Sequence, residues 1–171
     1  MTKKQNLIKN VILLVGIALL IILLDQWSKD LVRDQIGLGN EVYPIPFLAP
    51  FFRFTYWKNT GAAFGIFQNA NMPLLILSIL ISLVVVWLYF KSEDGPLIFR
   101  ISLAMMLGGA IGNMIDRIRF GFVTDFIAVG RFPVFNIADS AVTVGVAIML
   151  IAMLIHERKE KAKAIDGVQN E

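Results

Sequence analysis

Four apolar runs restrict what this sequence can fold into. They cover about residues 10–28, 73–90, 97–116 and 137–155. Runs of about 18 to 20 apolar residues cross a hydrocarbon core of about 30 Å as helices, because lipid offers no hydrogen-bond partners to an open backbone. Since 57% of the residues are hydrophobic and only 17% are charged, an ordinary soluble domain is excluded. We therefore expect an all-α polytopic membrane protein, with one domain over residues 1–171.

The first apolar run looks like a secretion signal, since Lys3, Lys4 and Lys9 precede it. However, no small-x-small cleavage site follows it, and three further apolar runs do. We therefore interpret the first run as a retained transmembrane helix.

The basic residues predict how the helices cross the membrane. Lysines and arginines occur in both terminal tails and in the connection between the second and third runs, and four spans put these three segments on one side. Cytoplasmic segments carry the excess of basic residues, so we expect both termini in the cytoplasm. The other side is also basic at Arg117, Arg119 and Arg131, so the topology needs its own test.

The two long connections, about residues 29–72 and 117–136, are then extracytoplasmic. The first contains a stretch with strand periodicity, in which large aromatic residues alternate with a second set of side chains. The two sets are Phe52, Phe54 and Tyr56, and Arg53, Thr55 and Trp57. This alternation predicts a small sheet on the membrane surface, and residues 59–61 are predicted to form the turn that follows the strand.

Small and polar residues recur at helical spacing in the third run. Ala104, Gly108 and Gly112 are each four residues apart, which is the spacing that lets two membrane helices approach closely. Asn113 and Arg117 are also four apart and share another face.

The fourth run carries a polar stripe at its start. Asn136, Asp139, Ser140 and Thr143 occupy positions i, i+3, i+4 and i+7 of a helix. Such stripes face a bundle interior or a water-filled cavity, because polar groups are costly in lipid.

The residue inventory excludes most catalytic chemistries. The chain has no cysteine and a single histidine, His156, in a cytoplasmic flank, so thiol, Ser-His and histidine-rich metal sites lack their parts. Ser78, Ser82 and Ser102 lie in apolar runs without lysine, and Ser28 beside Lys29 is the one exception, whose hydroxyl is more simply a helix-end group. The net charge of +3 is spread over segment ends, which argues against a nucleic-acid partner.

Asp125 and Asp139 remain as candidates for chemistry. Two carboxylates close together in a partly desolvated site cannot both ionise easily, so one keeps its proton and the pair titrates jointly. One can then activate water while the other protonates a scissile carbonyl, which amounts to metal-free peptide hydrolysis.

Each polar residue also has a purely structural interpretation. Asp125 alone fits a loop residue or a cap, and Asp139 alone fits a helix cap or a partner of Arg117. Asn59 and Asn113 fit residues that satisfy backbone groups at turns and helix ends.

Two further carboxylates have ion-pair interpretations. Asp25 fits an ion pair with Lys29 one turn later, and Asp116 fits one with Arg119 or Arg117.

Four motifs around the apolar runs resemble the bacterial lipoprotein signal peptidases, also called signal peptidase II. They are NTGAAFG at 59–65, GGAIGNMIDR at 108–117, GFVTDF at 121–126 and FNIADS at 135–140. Their order and spacing cover nearly the whole chain.

The resemblance implies an aspartic endopeptidase of the bacterial cytoplasmic membrane with its active site toward the outer leaflet. It removes the signal peptide of a prolipoprotein just before the diacylglyceryl-modified cysteine. By this resemblance, Asp125 and Asp139 are the catalytic pair. The residues that shape the site or bind substrate are Asp25, Asn59, Asn113, Arg117 and Asn136.

The same resemblance gives expectations about ligands and partners. The external sheet is expected to form a cradle over the substrate. Membrane lipid and inhibitors of the globomycin type are expected partners. No metal or cofactor is implied, and we expect a monomer.

Two other classes of protein remain open at this stage. A small proton-coupled transporter also places aspartates at membrane depth, although the halves show no inverted repeat. A non-catalytic membrane scaffold accounts for the small-residue stripe but not for the polar groups on the outer side.

Overall fold

The computed structural model describes residues 2–61, 70–92 and 95–169, with side chains described except at residues 3, 156 and 159–169. Four α-helices and three strands are the main elements of this part of the chain, and one short 3-10 helix, Pro46–Leu48, lies between the first two strands. In chain order the main elements are α1 (Lys3–Gln35), β1 (Glu41–Val42), β2 (Phe52–Asn59), α2 (Asn71–Lys91), α3 (Leu97–Phe120), β3 (Val123–Val129) and α4 (Ile137–Gln169).

Each helix contains a stretch long and apolar enough to cross a membrane. Its mean hydropathy over 18 residues ranges from 1.5 in α3 to 2.9 in α1. Together with the small sheet, these helices confirm the predicted fold class of a polytopic helical membrane protein with a β-sheet.

Helix α3 is the centre of the bundle, because it contacts the three other helices. Its small residues permit this: a Cβ added to Gly108 would lie 2.8 Å from the Ala18 carbonyl oxygen of α1, and one added to Gly112 would lie 2.7 Å from Asp25 Oδ2. Gly109, outside the predicted stripe, is equally constrained, since its added Cβ would overlap the Ala138 carbonyl of α4. The small-residue stripe therefore marks a real contact, and Gly109 extends it to a second helix.

Two helices are longer than the apolar runs predict. Helix α1 continues to Gln35 rather than ending near residue 28, and α4 continues to Gln169 beyond the run that ends near 155. In α1 the added turns contain Lys29 and Arg33, whose charges are paired with carboxylates. A helix predicted from its apolar run ends at the first charged residues. In the structure these charges are paired with carboxylates, so the helix continues past them.

The three strands form an antiparallel sheet in the order β1-β2-β3. Strand β2 confirms the strand predicted over residues 52–57 and extends it to Asn59. Beyond it, the Gly61 N–H donates to Asn59 Oδ1 at 3.0 Å, which forms the start of the predicted turn. The rest of the 59–65 motif, at 62–65, lies outside the described residues.

The sheet is attached to the helix bundle by an apolar cluster. Phe126 of β3 packs with Val32 and Ile36 of α1, and Phe54 and Ile137 border this cluster. The contacts hold β3 against the C-terminal end of α1 and against the start of α4. The sheet is therefore fixed where α3 ends and α4 begins.

Candidate active site

Strand β3 carries Asp125 in a buried position, with 1% of the residue exposed. Its two carboxylate oxygens each accept a hydrogen bond from an asparagine side chain. Asn136 Nδ2 donates to Oδ1 at 2.7 Å, and Asn59 Nδ2 donates to Oδ2 at 2.8 Å. Both donors are residues that the family resemblance assigns to the site.

A bulge in β2 brings Asn59 to this carboxylate. The strand register pairs Phe54 with Ile127 but Trp57 with Asp125, so β2 carries one extra residue between these two pairs. Residues paired across a sheet share a face. Without the bulge, Lys58 would share the face of Asp125, and Asn59 would point away from it.

Asp139 lies in the first turn of α4, and the start of that helix fixes its position. Its Oδ2 accepts the Asn136 N–H at 3.1 Å, while its own N–H donates to Asn136 Oδ1 at 2.9 Å. This reciprocal pair is a capping box with Asn136 as the N-cap. Asp139 Oδ1 accepts a third bond, from Asn113 Nδ2 at 2.7 Å. The structural interpretation of Asp139 as a cap is therefore correct and is compatible with a role in chemistry.

Asn136 joins the two carboxylates. Its side chain donates to Asp125 and also to Asn113 Oδ1 at 3.1 Å, and its backbone donates to Asp139. The residue is fully buried. Every one of its polar contacts is therefore made inside the protein, which gives the two aspartates one fixed relative arrangement.

Burial, together with the neighbouring charge of Asp139, raises the pKa of Asp125 from an ordinary 3.8 to about 7. The hydrogen bonds from Asn59 and Asn136 and the positive charge of Lys29 oppose this rise. Near neutral pH, Asp125 therefore exchanges its proton readily, which is the property required of a general acid or base.

Both carboxylates line a cavity of about 670 Å³ between α2, α3 and α4. At the end next to the sheet the walls are polar and include Asn59, Asn113 and Arg117 together with the two aspartates. Between the helices the walls are mostly apolar, formed among others by Leu74, Leu77, Ile81, Met106 and Val142. Such a shape suits an elongated apolar ligand that has one polar group near the aspartates.

Arg117 borders this cavity at the last turn of α3. The backbone there is fixed by Asn71, whose Nδ2 donates to the Arg117 carbonyl at 3.3 Å. The guanidinium is thus placed at the cavity wall, where its planar donors can bind a carbonyl or a phosphate.

Asp25 lies behind the site and contacts two elements. Its Oδ1 accepts the Ala138 N–H of α4 at 2.9 Å, and its Oδ2 forms the expected ion pair with Lys29 at 2.8 Å. Asp25 therefore fixes the first turn of α4, which carries Asp139. Asp25 is not among the residues that line the cavity with Asp125 and Asp139.

The structural interpretation of Asp116 was wrong about its partners. Its carboxylate pairs with Lys29 at 3.4 Å and Arg33 at 3.7 Å, and it accepts the Thr124 N–H at 2.9 Å. Its predicted partners were Arg119 and Arg117, which are close in sequence. The real partners lie on α1 and β3 because Asp116 faces the bundle interior, with no exposed surface.

Sequence reasoning missed Lys29 as a residue next to the site. It is fully buried and donates to Asn113 Oδ1 at 2.9 Å. An ionisable pair at i and i+4 within a spanning helix was the available signal, because such a pair avoids lipid and faces the interior.

Among the residues whose side chains the structure describes, no three acidic or histidine side chains are grouped as metal ligands.

Comparison with known proteins gives a consistent match. A family profile described as "Signal peptidase (SPase) II" matches residues 17–155. A lipoprotein signal peptidase of Moorella thermoacetica is 41% identical over 140 residues, covering 81% of this chain and 91% of the relative. One of Halalkalibacterium halodurans is 42% identical over 149 residues, covering 85% and 94%.

Two solved structures have the same fold. Their titles describe bacterial membrane enzyme structures obtained by the in meso method at 2.3 Å and 1.9 Å resolution. The first superposes with a TM-score of 0.77 at 34% identity, covering 82% of this chain and 87% of that one. The second gives a TM-score of 0.74 at 34% identity, covering 82% and 92%.

Proposed function

The chain belongs to the signal peptidase II family, and from that premise we propose that it is a membrane-embedded aspartic endopeptidase that removes the signal peptides of prolipoproteins. Family membership supports prolipoprotein processing. It also weighs against the proton-coupled transporter and scaffold alternatives. The multi-pass membrane location is supported by the four spanning helices.

One observation carries the aspartic mechanism. Asp125 and Asp139 come from different elements, yet both border one cavity and both are hydrogen-bonded to Asn136. A cap and a strand residue need no common partner for folding alone. Their convergence on a cavity supports a shared task, and a water held between two carboxylates performs peptide hydrolysis without a metal.

In the proposed mechanism, Asp139 acts as the base. It lies at the N-terminus of α4, where the helix dipole and two N–H donors favour a negative carboxylate. It takes a proton from the water as the oxygen attacks the scissile carbonyl carbon. Asp125 gives its proton to the carbonyl oxygen, and the product of this step is a neutral gem-diol.

Collapse of the gem-diol completes the proton balance. Asp139 gives the proton it received to the leaving nitrogen, and the C–N bond breaks. One gem-diol hydroxyl returns a proton to Asp125 as the new carboxylic acid forms. Both aspartates regain their starting states, so the cycle requires no cofactor.

The cavity supports the substrate assignment. Its apolar depth can accept the hydrophobic signal peptide, and its polar end holds the scissile bond beside the aspartates. Arg117 can hold a substrate carbonyl or lipid phosphate at the same end. We propose cleavage on the N-terminal side of the diacylglyceryl-modified cysteine, at the level of the outer leaflet, with both termini in the cytoplasm.

The same cavity accounts for the remaining expected ligands. An inhibitor of the globomycin type would compete with substrate for it, and membrane lipid would fill its open side. We propose that one copy of the chain is sufficient, because the aspartates and their asparagine donors all come from one chain.

The proposed substrate and the proposed cleavage position can be tested together. The purified protein in detergent is given a diacylglyceryl-modified prolipoprotein, and the cleaved peptide bond is identified. Mass spectrometry should find a product that begins with the lipidated cysteine, and a chelator should not reduce the rate. The matched control is the same precursor without the lipid. Equal cleavage of both precursors would contradict the proposed specificity, and proton flux in liposomes without cleavage would favour a transporter.

A further inference from the structure

Lys29 is a fully buried cation next to the proposed catalytic pair. Its ammonium group has three N–H donors and three acceptors within reach. They are Asp25 Oδ2 at 2.8 Å, Asn113 Oδ1 at 2.9 Å and Asp116 Oδ2 at 3.4 Å. Two carboxylates are enough to neutralise a buried ammonium, so the bond to Asn113 calls for a separate explanation.

That bond determines how the Asn113 amide is turned. Its Oδ1 faces two donors, Lys29 and Asn136, and its Nδ2 donates to Asp139 Oδ1 at 2.7 Å. With Lys29 in place, the amide has one satisfactory orientation, because a flip would set an NH₂ group against an ammonium. The same flip would set an oxygen against the Asp139 carboxylate.

We propose that Lys29 is a positioning residue of the two-aspartate site, which orients Asn113 toward Asp139 and supplies the positive charge that keeps one carboxylate of the pair ionised. This inference rests on the proposed aspartic mechanism. Lys29 itself does not line the cavity. It contacts the site through Asn113, and its charge acts on the two carboxylates without direct contact.

The charges around the pair are consistent with this role. From α1, Asp25 and Lys29 face the site, and from α3, Asp116 and Arg117 do. Asp116 is also paired with Arg33 at 3.7 Å. Lys29 is thus linked to Asp139 through a single side chain, and its charge lowers the pKa of Asp125.

A purely structural role must be separated from this one. Replacing Lys29 alone would leave two buried carboxylates with one cation, and such variants often fail to fold. The informative protein is therefore the double variant Lys29→Met with Asp116→Asn, which removes one charge of each sign. Asp116→Asn alone is the matched control.

The measurement is the pH profile of kcat and KM for wild type, control and double variant in detergent. In the double variant, kcat should fall roughly 100-fold relative to the control, because Asn113 no longer holds Asp139 in place. The acid limb should move up by about one pH unit or more, because loss of a nearby positive charge favours protonation of the pair. KM should stay within about threefold of the control.

Three results would overturn the proposal. The first is a double variant whose kcat, and whose acid limb of the pH profile, equal those of the Asp116→Asn control. Lys29 would then have a purely structural role. A second is a Lys29→Arg variant whose acid limb moves as far as that of the double variant, since this change keeps charge and donors. The third is activity in Asp139→Asn, which would refute the aspartic mechanism itself, independently of Lys29.

Discussion

Asn136 and Asp139 cap the first turn of α4 reciprocally, with N–H to carboxylate or amide oxygen distances of 3.1 Å and 2.9 Å. The carboxylate that we propose as the base is therefore also part of the capping box that starts the helix. Asn113 of α3 adds a further hydrogen bond to this carboxylate. The Asn136 side chain then extends the same arrangement to Asp125.

Asn136→Ser should separate the cap from the chemistry. Serine is a good N-cap and alanine is not, so Asn136→Ser should be about 1 kcal/mol more stable than Asn136→Ala, while both variants lose the buried hydrogen bonds of the amide. Neither variant keeps the amide that donates to Asp125, so both should lose most of their activity. Thermal unfolding and cleavage rates check this, and full activity in Asn136→Ser would show that the Asn136–Asp125 bond is dispensable.

Stability should fall as the pH rises from about 4 to about 7. The folded protein holds the Asp125 proton up to about pH 7, whereas an unfolded chain loses it near the ordinary 3.8. In this window the native state binds more protons, so higher pH favours unfolding, by about 1.4 kcal/mol per unit of pKa difference as an upper limit. Melting temperatures of wild type and Asp125→Asn across this range provide the measurement. The variant should show a flatter dependence, and an equal slope would contradict the raised pKa.

Gly109→Ala should destabilise the bundle far more than Gly16→Ala. The added methyl group at 109 would overlap the Ala138 carbonyl and lie 2.8 Å from Val142 Cγ2, whereas nothing lies within 4 Å of a methyl group at 16. Overpacking costs about 1 to 3 kcal/mol. Thermal unfolding in detergent checks this comparison, and similar melting temperatures would show that α3 and α4 can separate slightly without cost.

Filling the cavity should impair cleavage without unfolding the protein. Leu77 lines the cavity, whereas Leu83 on the same helix is 62% exposed and does not line it. Leu77→Trp should lower kcat/KM by at least about tenfold, while Leu83→Trp should leave it unchanged. Equal activity of the two variants would indicate that the substrate binds elsewhere.

The sequence predicted those features that depend on local patterns. Four apolar runs and one alternating stretch correctly indicated four helices and a strand near 52–57, because periodicity is a property of neighbouring residues. Helix ends were less accurate, since the charge of Lys29 is stabilised by Asp116, which is distant in sequence. The bulge in β2 could not be predicted either, because it follows from the pairing of β2 with β3.

The candidate site was predicted as a set of residues but not as an arrangement. The resemblance named Asp125, Asp139 and the asparagines, and the structure places all of them around one cavity or in contact with its walls. The resemblance did not reveal that Asn136 contacts both carboxylates. Nor did it reveal the contact between Lys29 and Asn113, which requires α1 and α3 to lie side by side.

The most direct test compares wild type, Asp125→Asn and Asp139→Asn in cleavage of a diacylglyceryl-modified prolipoprotein, with a chelator present throughout. Size-exclusion profiles and melting temperatures confirm that each variant is folded. The two-aspartate mechanism predicts cleavage by wild type alone, at a rate that the chelator does not change. Substantial turnover by either folded variant would contradict it.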